Sequence, residues 1–178
     1  MGILSGISNY RAKGVGNYIQ QAGKYRFLIK DMKHDEKAYG GELFAIELEV
    51  VSAEKTEKQT LVEGPNGLVP SENQEPHKVG TLLSRIDQFP ASLSEDEKKT
   101  RMGGFLQCLE GITGLDSNNG EFDTAGVEEL FGKDKPMVGG YVDCIVFTKP
   151  QVKKPKVPFT ATKWMHVKEA PAAASTPA

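Results

Sequence analysis

Two stretches of strict alternation constrain this chain most. In Lys24-Tyr25-Arg26-Phe27-Leu28-Ile29-Lys30, the residues Tyr25, Phe27 and Ile29 alternate with Lys24, Arg26, Leu28 and Lys30. In Glu42 to Val51, Phe44, Ile46, Leu48 and Val50 alternate with a face that carries Glu47 and Glu49. A period of two puts successive side chains on opposite sides of a strand, so each segment has one apolar face to bury. The first strand has a mostly basic outer face and the second an acidic one. A turn-like segment, His34 to Gly41, joins them, so an antiparallel pair is expected.

The remaining elements follow from local signals. Residues 1–20 read as an irregular N-terminal arm with Gly2, Gly6, Gly14 and Gly16. Residues 53–77 form a long polar connection holding Pro65, Pro70 and Pro76, a length associated with function or disorder. Lys78 to Ser84 reads as a short third strand. Ser94 and Glu97 form a capping box that opens a helix. Met102, Phe105, Leu106 and Leu109 then supply one buried face. Gly103-Gly104 weakens this helix and allows close packing, and Gly111 or Gly114 ends it. A smaller helix is expected from Asp123, with Phe122 and Val127 as a staple and Val127, Leu130 and Phe131 on its apolar side. Gly139-Gly140 opens a fourth strand, Tyr141 to Thr148. Lys149 to Pro158 is a basic loop with three prolines, and Phe159 to Val167 is the last strand. Residues 169–178 are an Ala/Pro tail whose composition calls for no fold. Residues 21–168 thus read β-β-β-α-β-β. This predicts a mainly β domain: a five-stranded OB-fold Greek-key barrel with a helical insert between strands 3 and 4. In that fold a ligand crosses the face of strands 2–3, between the loops joining strands 1–2 and 4–5. Those loops are here His34–Gly41 and Lys149–Pro158.

Charge points to the same surface. The net charge of the 178 residues is −2, but it is segregated. Residues 9–37 carry seven bases against three acids, and residues 148–168 carry six bases and no acid. Residues 38–147 carry nine bases and twenty acids. Basic ends around an acidic middle make a dipolar molecule if the ends meet in space. The sequence has no apolar run long enough for a membrane span, and Met1-Gly2-Ile3-Leu4 does not start like a secretory leader. Cys108 and Cys144 stand far apart, which excludes a disulfide scaffold and argues for two small buried apolar side chains. An intracellular chain without metal or other cofactor is expected, with no membrane partner.

Enzyme signatures are weak. Gly126 to Lys133 looks like a phosphate loop, but five residues separate Gly126 from Gly132, and Asp134 stands where Ser or Thr must bind magnesium. Gly14-Val15-Gly16 lacks a third glycine and a preceding strand. Asp116 to Gly120 starts like a calcium loop, yet Glu121 and Val127 occupy the positions of the invariant glycine and the bidentate glutamate. His34, His77 and His166 lie on three different elements. No catalytic step is expected.

Single-strand binding needs cations along the backbone path and flat side chains for stacking, and both are interleaved here. The candidate phosphate contacts are Arg11, Lys13, Lys24, Arg26, Lys33, Lys37, Lys149, Lys153, Lys154, Lys156 and Lys163. Tyr39 in the first loop and Trp164 beside Lys163 are the candidate stacking residues. Tyr10 and Tyr18 flank Arg11 and Lys13, and Phe147 and Phe159 bracket the basic loop. In the last strand Thr160, Thr162, Trp164 and His166 share the more polar face, which favours a partly exposed indole; a core role for that ring is the alternative.

Short blocks also resemble a known group. Lys13-Gly14-Val15-Gly16-Asn17-Tyr18-Ile19-Gln20, with Gly23-Lys24-Tyr25, resembles the opening of small bacteriophage OB-fold single-stranded-DNA-binding proteins. Leu43 to Ser52, His77-Lys78-Val79-Gly80, and Pro158-Phe159-Thr160 with Trp164 are similar to the blocks that follow. The resemblance spans about residues 13–168. It implies single-stranded-DNA binding with little sequence preference during phage DNA replication or recombination, in the cytoplasm of the infected bacterial host. Phage replication or recombination proteins would be the partners. One departure concerns the end of the chain: many single-strand-binding proteins close with an acidic recruiting tail, whereas residues 170–178 hold no acid. The competing reading is a non-enzymatic protein–protein or phage structural module on a barrel, with the acidic middle as its contact surface.

Overall fold

The computed structural model describes residues 17–35, 41–115 and 124–168. Its elements in chain order are β1 (Asn17–Tyr18), β2 (Gly23–Asp35), β3 (Glu42–Glu54), the hairpin β4 (Leu61–Gly64) and β5 (Gly67–Pro70), and β6 (Leu82–Phe89). Helices α1 (Glu95–Thr113) and α2 (Thr124–Phe131) come next, then β7 (Tyr141–Pro150) and β8 (Pro158–His166). Six strands form one sheet in the order β1-β6-β3-β2-β7-β8. All neighbours in it are antiparallel except β1 and β6. After the helices the chain returns as β7 beside β2, so β7-β2-β3-β6 is a Greek-key order. The sheet curls into a half-barrel. Arg85 of β6 donates from Nη1 to Thr162 Oγ1 of β8 at 3.3 Å, although the two strands lie toward opposite ends of the sheet order.

The inner face of β2 is the spine of the core. Tyr25, Phe27 and Ile29 are buried, as their alternation demands. The pairing with β3 shifts register at Arg26/Phe27 and again at Ile29/Asp31. Such bulges add twist and bend the strand. The second one reverses the parity, so that Met32 faces inward and His34 stacks on Phe44 with ring centroids 4.3 Å apart. This is why the sequence pattern stops at Lys30 while the strand continues to Asp35. Phe44 anchors the end of the core that the helices cover, with Phe105 of α1 at 4.7 Å and Phe131 of α2 at 5.0 Å.

The expected elements are present with several differences. Ser94 caps α1, its Oγ accepting from the Glu97 N–H at 3.2 Å, and Gly114 closes it in a left-handed conformation at φ 76°. The buried face of α1 is Phe105, Cys108, Leu109 and Ile112, and Met102 is exposed. The close approach is made by Gly111, not by Gly103-Gly104: a Cβ on Gly111 would lie 2.5 Å from Trp164 Cβ. The third strand is Leu82–Phe89 instead of 78–84. Lys78 to Thr81 form a turn, with Gly80 at φ 90° and the Thr81 N–H bonded to Lys78 O. The long connection holds the β4–β5 hairpin, whose four-residue strands are too short and Gly/Pro-rich to show a period. Asn17 and Tyr18, read with the arm, pair with Leu83 and Ser84, so the sheet has six strands where five were expected. The expected start of the second helix at Asp123 and the tail from residue 169 lie outside the described residues, as does residue 1–16 of the arm.

His77 ties the lead-in to β2 in place. Its Nε2 accepts the backbone N–H groups of Gln20 and Gln21 at 3.1 and 3.2 Å. Its own N–H reaches Tyr25 Oη, which donates to Gln21 O. Burial holds the His77 pKa below its ordinary 6.5, because desolvation disfavours the charged ring. The unfolded chain therefore takes up a proton at a higher pH than the folded one. This contribution to stability is complete above pH 6.5 and is lost as pH falls below it. Ordinary carboxylates titrate in a lower range, and Asp87, raised by burial, changes stability with pH in the opposite direction.

Two outcomes are expected. Thermal unfolding should be insensitive to His77 titration above pH 7 and weaken from pH 6.5 to 5.5. In His77→Ala that slope should disappear, at a cost of about 1–3 kcal/mol at pH 7.5. Gly111→Ala should destabilise by about 1–3 kcal/mol through overpacking, while Gly103→Ala should stabilise by up to about 1 kcal/mol. A neutral Gly111→Ala would contradict the close helix–strand approach.

Candidate nucleic-acid interface

The outer face of the sheet is divided by register. On β2 and β3, Lys24 stands opposite Glu54 and Leu28 opposite Glu49. Lys30 Nζ lies 3.9 Å from Glu49, and Lys33 Nζ lies 2.8 Å from Glu47. Arg26 forms a two-pronged pair with Asp143 at 2.7 and 3.0 Å. The acidic face of β3 thus answers the basic face of β2. The charge segregation of the sequence is undone on this side, and Arg26 and Lys33 are engaged by carboxylates. Asp31 adds to this. Burial raises its pKa, but the Lys135 ammonium at 2.6 Å, the Met32 N–H and Lys33 outweigh that and hold it below the usual range.

The β7–β8 side is different. Lys149, Lys153, Lys154, Lys156 and Lys163 are all exposed. None has a carboxylate partner among the described residues. The loop is closed by Gln151 N–H to Val157 O and Val157 N–H to Lys154 O, and Pro150, Pro155 and Pro158 limit its backbone freedom. Register places Lys24, Ile145 and Lys163 in one row across β2, β7 and β8. Two strand spacings put Lys24 and Lys163 roughly 10 Å apart on one face. Lys149 pairs with Phe159 across the strands, its Nζ 5.6 Å from the ring centroid. Phe159 is 47% exposed. Of the predicted set, then, Lys24, Lys149 and Lys163 share one face of the sheet by register, and Lys153, Lys154 and Lys156 stand exposed on the loop between β7 and β8. Arg11, Lys13, Lys37 and Tyr39 lie outside the described residues.

Trp164 requires a correction. Its ring is 3% exposed and packs 6.0 Å from Phe27, and its Nε1 donates to Thr162 Oγ1 at 3.0 Å. The strand face read as polar is the inward one. At its centre Thr162 Oγ1 accepts from both Trp164 and Arg85, while His166 at its end is exposed, so hydroxyl content is a poor guide to exposure. A ring buried in this way offers no surface for a base, and the exposed aromatic on β8 is Phe159.

Beside the lysines, the half-barrel is open. β6 and β8 are not neighbours in the sheet, and the gap between them is a groove of about 770 Å³. Tyr18 on one rim is 38% exposed, and Phe147, Lys149 and Phe159 line the other. Gly103 and Gly104 of α1 form part of the wall. A Cβ on Gly103 would meet nothing within 4 Å, and one on Gly104 only the Arg85 fork at 3.7 Å. A glycine inside a helix costs roughly 1 kcal/mol relative to alanine, and no packing demand explains these two.

The inner end of the groove is polar. Arg85 and Asp87 occupy inward positions of β6 between Leu83 and Phe89. Their forked pair at 2.8 and 2.9 Å is largely buried, at 17% and 10% side-chain exposure. The guanidinium also lies over Trp164, 5.7 Å from the ring centroid. Burial pushes the Asp87 carboxyl up even against Arg85. A buried pair of this kind contributes little net stability. Ser84, 1% exposed, stands opposite Glu47 on the other face of β6, and its Oγ has no partner among the described residues. The sequence reading passed over Ser84, Arg85 and Asp87. The available signal was two opposite charges at a spacing of two inside an apolar strand. Burial also raises the Cys108 thiol to about 12, so neither cysteine provides a nucleophile; Cys144 is raised further in the same direction.

Among the described residues there is no cluster of three or more metal-ligating side chains, and no helix is long and apolar enough to cross a membrane. No protein-family model, curated protein or solved structure matches this chain. The likeness to phage single-strand-binding proteins therefore rests on the short sequence blocks alone.

Proposed function

We propose that this chain binds single-stranded DNA without strong sequence preference, on an OB-type barrel left open along one seam. The long strands support the fold reading. First pairs with second, second with third, first with fourth and fourth with fifth, in β2, β3, β6, β7 and β8. The OB-fold is a partly open Greek-key barrel that takes oligonucleotides. The observation that carries the function is the set of five β7–β8 lysines without counter-charge, next to an exposed phenylalanine. Cations that are not neutralised in the folded protein attract a polyanion, and a flat exposed ring gives a base somewhere to stack. The strand path follows β7, β8 and their loop, because acids on β3 repel phosphate from the face of strands 2–3. No chemical step is assigned. The biological setting, phage DNA replication or recombination in the host cytoplasm, rests on the sequence resemblance.

The test is an anisotropy titration of a labelled single-stranded oligonucleotide at several salt concentrations. Neutralising about four phosphates should give a log–log slope of roughly −3. Lys153→Ala, Lys154→Ala and Lys156→Ala together should weaken binding and flatten the slope by about 2. Arg26→Ala, already matched to Asp143, should change it far less. A slope near zero, or equal affinity for duplex of the same length, would overturn the proposal.

A further inference from the structure

We infer that the groove between β6 and β8 is a nucleobase site. Bases unstacked from a strand whose phosphates lie on the β7–β8 lysines enter it, and its inner end hydrogen-bonds their edges. This rests on the single-strand reading and adds where the bases go.

Independent features converge on that occupant. The volume of about 770 Å³ suits small planar ligands. Phe159, 47% exposed, stands at one rim, where a base can stack on its ring, and Tyr18 lines the other rim. Gly103 and Gly104 keep the wall free of side chains where a flat group would lie against the helix. Arg85 has five N–H groups; Asp87 takes two and Thr162 one, which leaves two for a ligand.

The same groups argue against other occupants. An apolar group would leave the two remaining Arg85 N–H groups unsatisfied. A bare phosphate would meet Asp87, which already balances Arg85. A neutral heterocycle with donors and acceptors on its edge fits both conditions, while its phosphate stays outside on Lys149.

The experiment compares a twelve-nucleotide deoxythymidine strand with an abasic strand of the same length, which keeps the phosphates and lacks the bases. The wild type should bind the thymidine strand at least about tenfold more tightly, the equivalent of one stacked base. Gly103→Leu with Gly104→Leu fills the groove with good helix formers, and should bring that ratio close to one without lowering the melting temperature. Phe159→Ala, at an exposed position, should lower the ratio in the same direction and serves if the double variant fails to fold. A ratio unchanged in both variants would overturn the groove as the base site while leaving single-strand binding intact. Equal loss for both strands would also overturn it, since the groove would then act without regard to bases. If the wild type binds neither strand, the single-strand reading fails and this inference with it.

Discussion

The seam between β6 and β8 is held by side chains where a closed barrel would have backbone pairing. Arg85 reaches Thr162, and Gln107 of α1 exchanges two hydrogen bonds with the Trp164 backbone, standing in for a neighbouring strand. Such substitutes satisfy polar groups at two points, β1 covers the β6 edge at Leu83 and Ser84, and the rest of the two strands stays unpaired across the seam. An uncovered edge is an exposed row of donors and acceptors. The fold manages it locally with α1, which Gly111 allows to lie directly on β8. The groove, the buried Arg85–Asp87 pair and the bare glycine wall all follow from a sheet that curls far enough to meet itself without pairing.

Register decides where charge remains available. A basic strand face next to an acidic one neutralises itself, as Lys33 does with Glu47. A basic hairpin at the edge of the sheet has only one neighbouring strand and keeps its cations. The contacting surface is therefore set less by how many lysines a segment holds than by which strand lies beside it. Exposed ion pairs of the β2–β3 kind add little stability, so their main effect is to remove that face from competition for a polyanion.

Much of the architecture was legible in the sequence. The alternation in 24–30 and 42–51, the cap at Ser94 and the glycine pair at 139–140 each have a local physical cause and stand where expected. Non-local pairing was not legible. The parity change after Ile29 depends on a bulge against β3, and the inward turn of Trp164 on the company of Arg85 across the seam. The neutralisation of Arg26 by Asp143 joins residues 117 positions apart. For the site, the loop lysines could be read from composition. The groove could not, because Tyr18, Arg85 and Phe159 come from separate elements that only the curl brings together.

The central claim is that a single strand lies along β7–β8 and dips into the seam. Ultraviolet cross-linking of an oligonucleotide carrying 5-iodouracil, followed by mass mapping of the attached peptide, tests it most directly. The account predicts adducts on Phe159 or Tyr18, abolished by unlabelled single strand and not by duplex. Adducts confined to the outer face of β3, between Glu47 and Glu54, would contradict it.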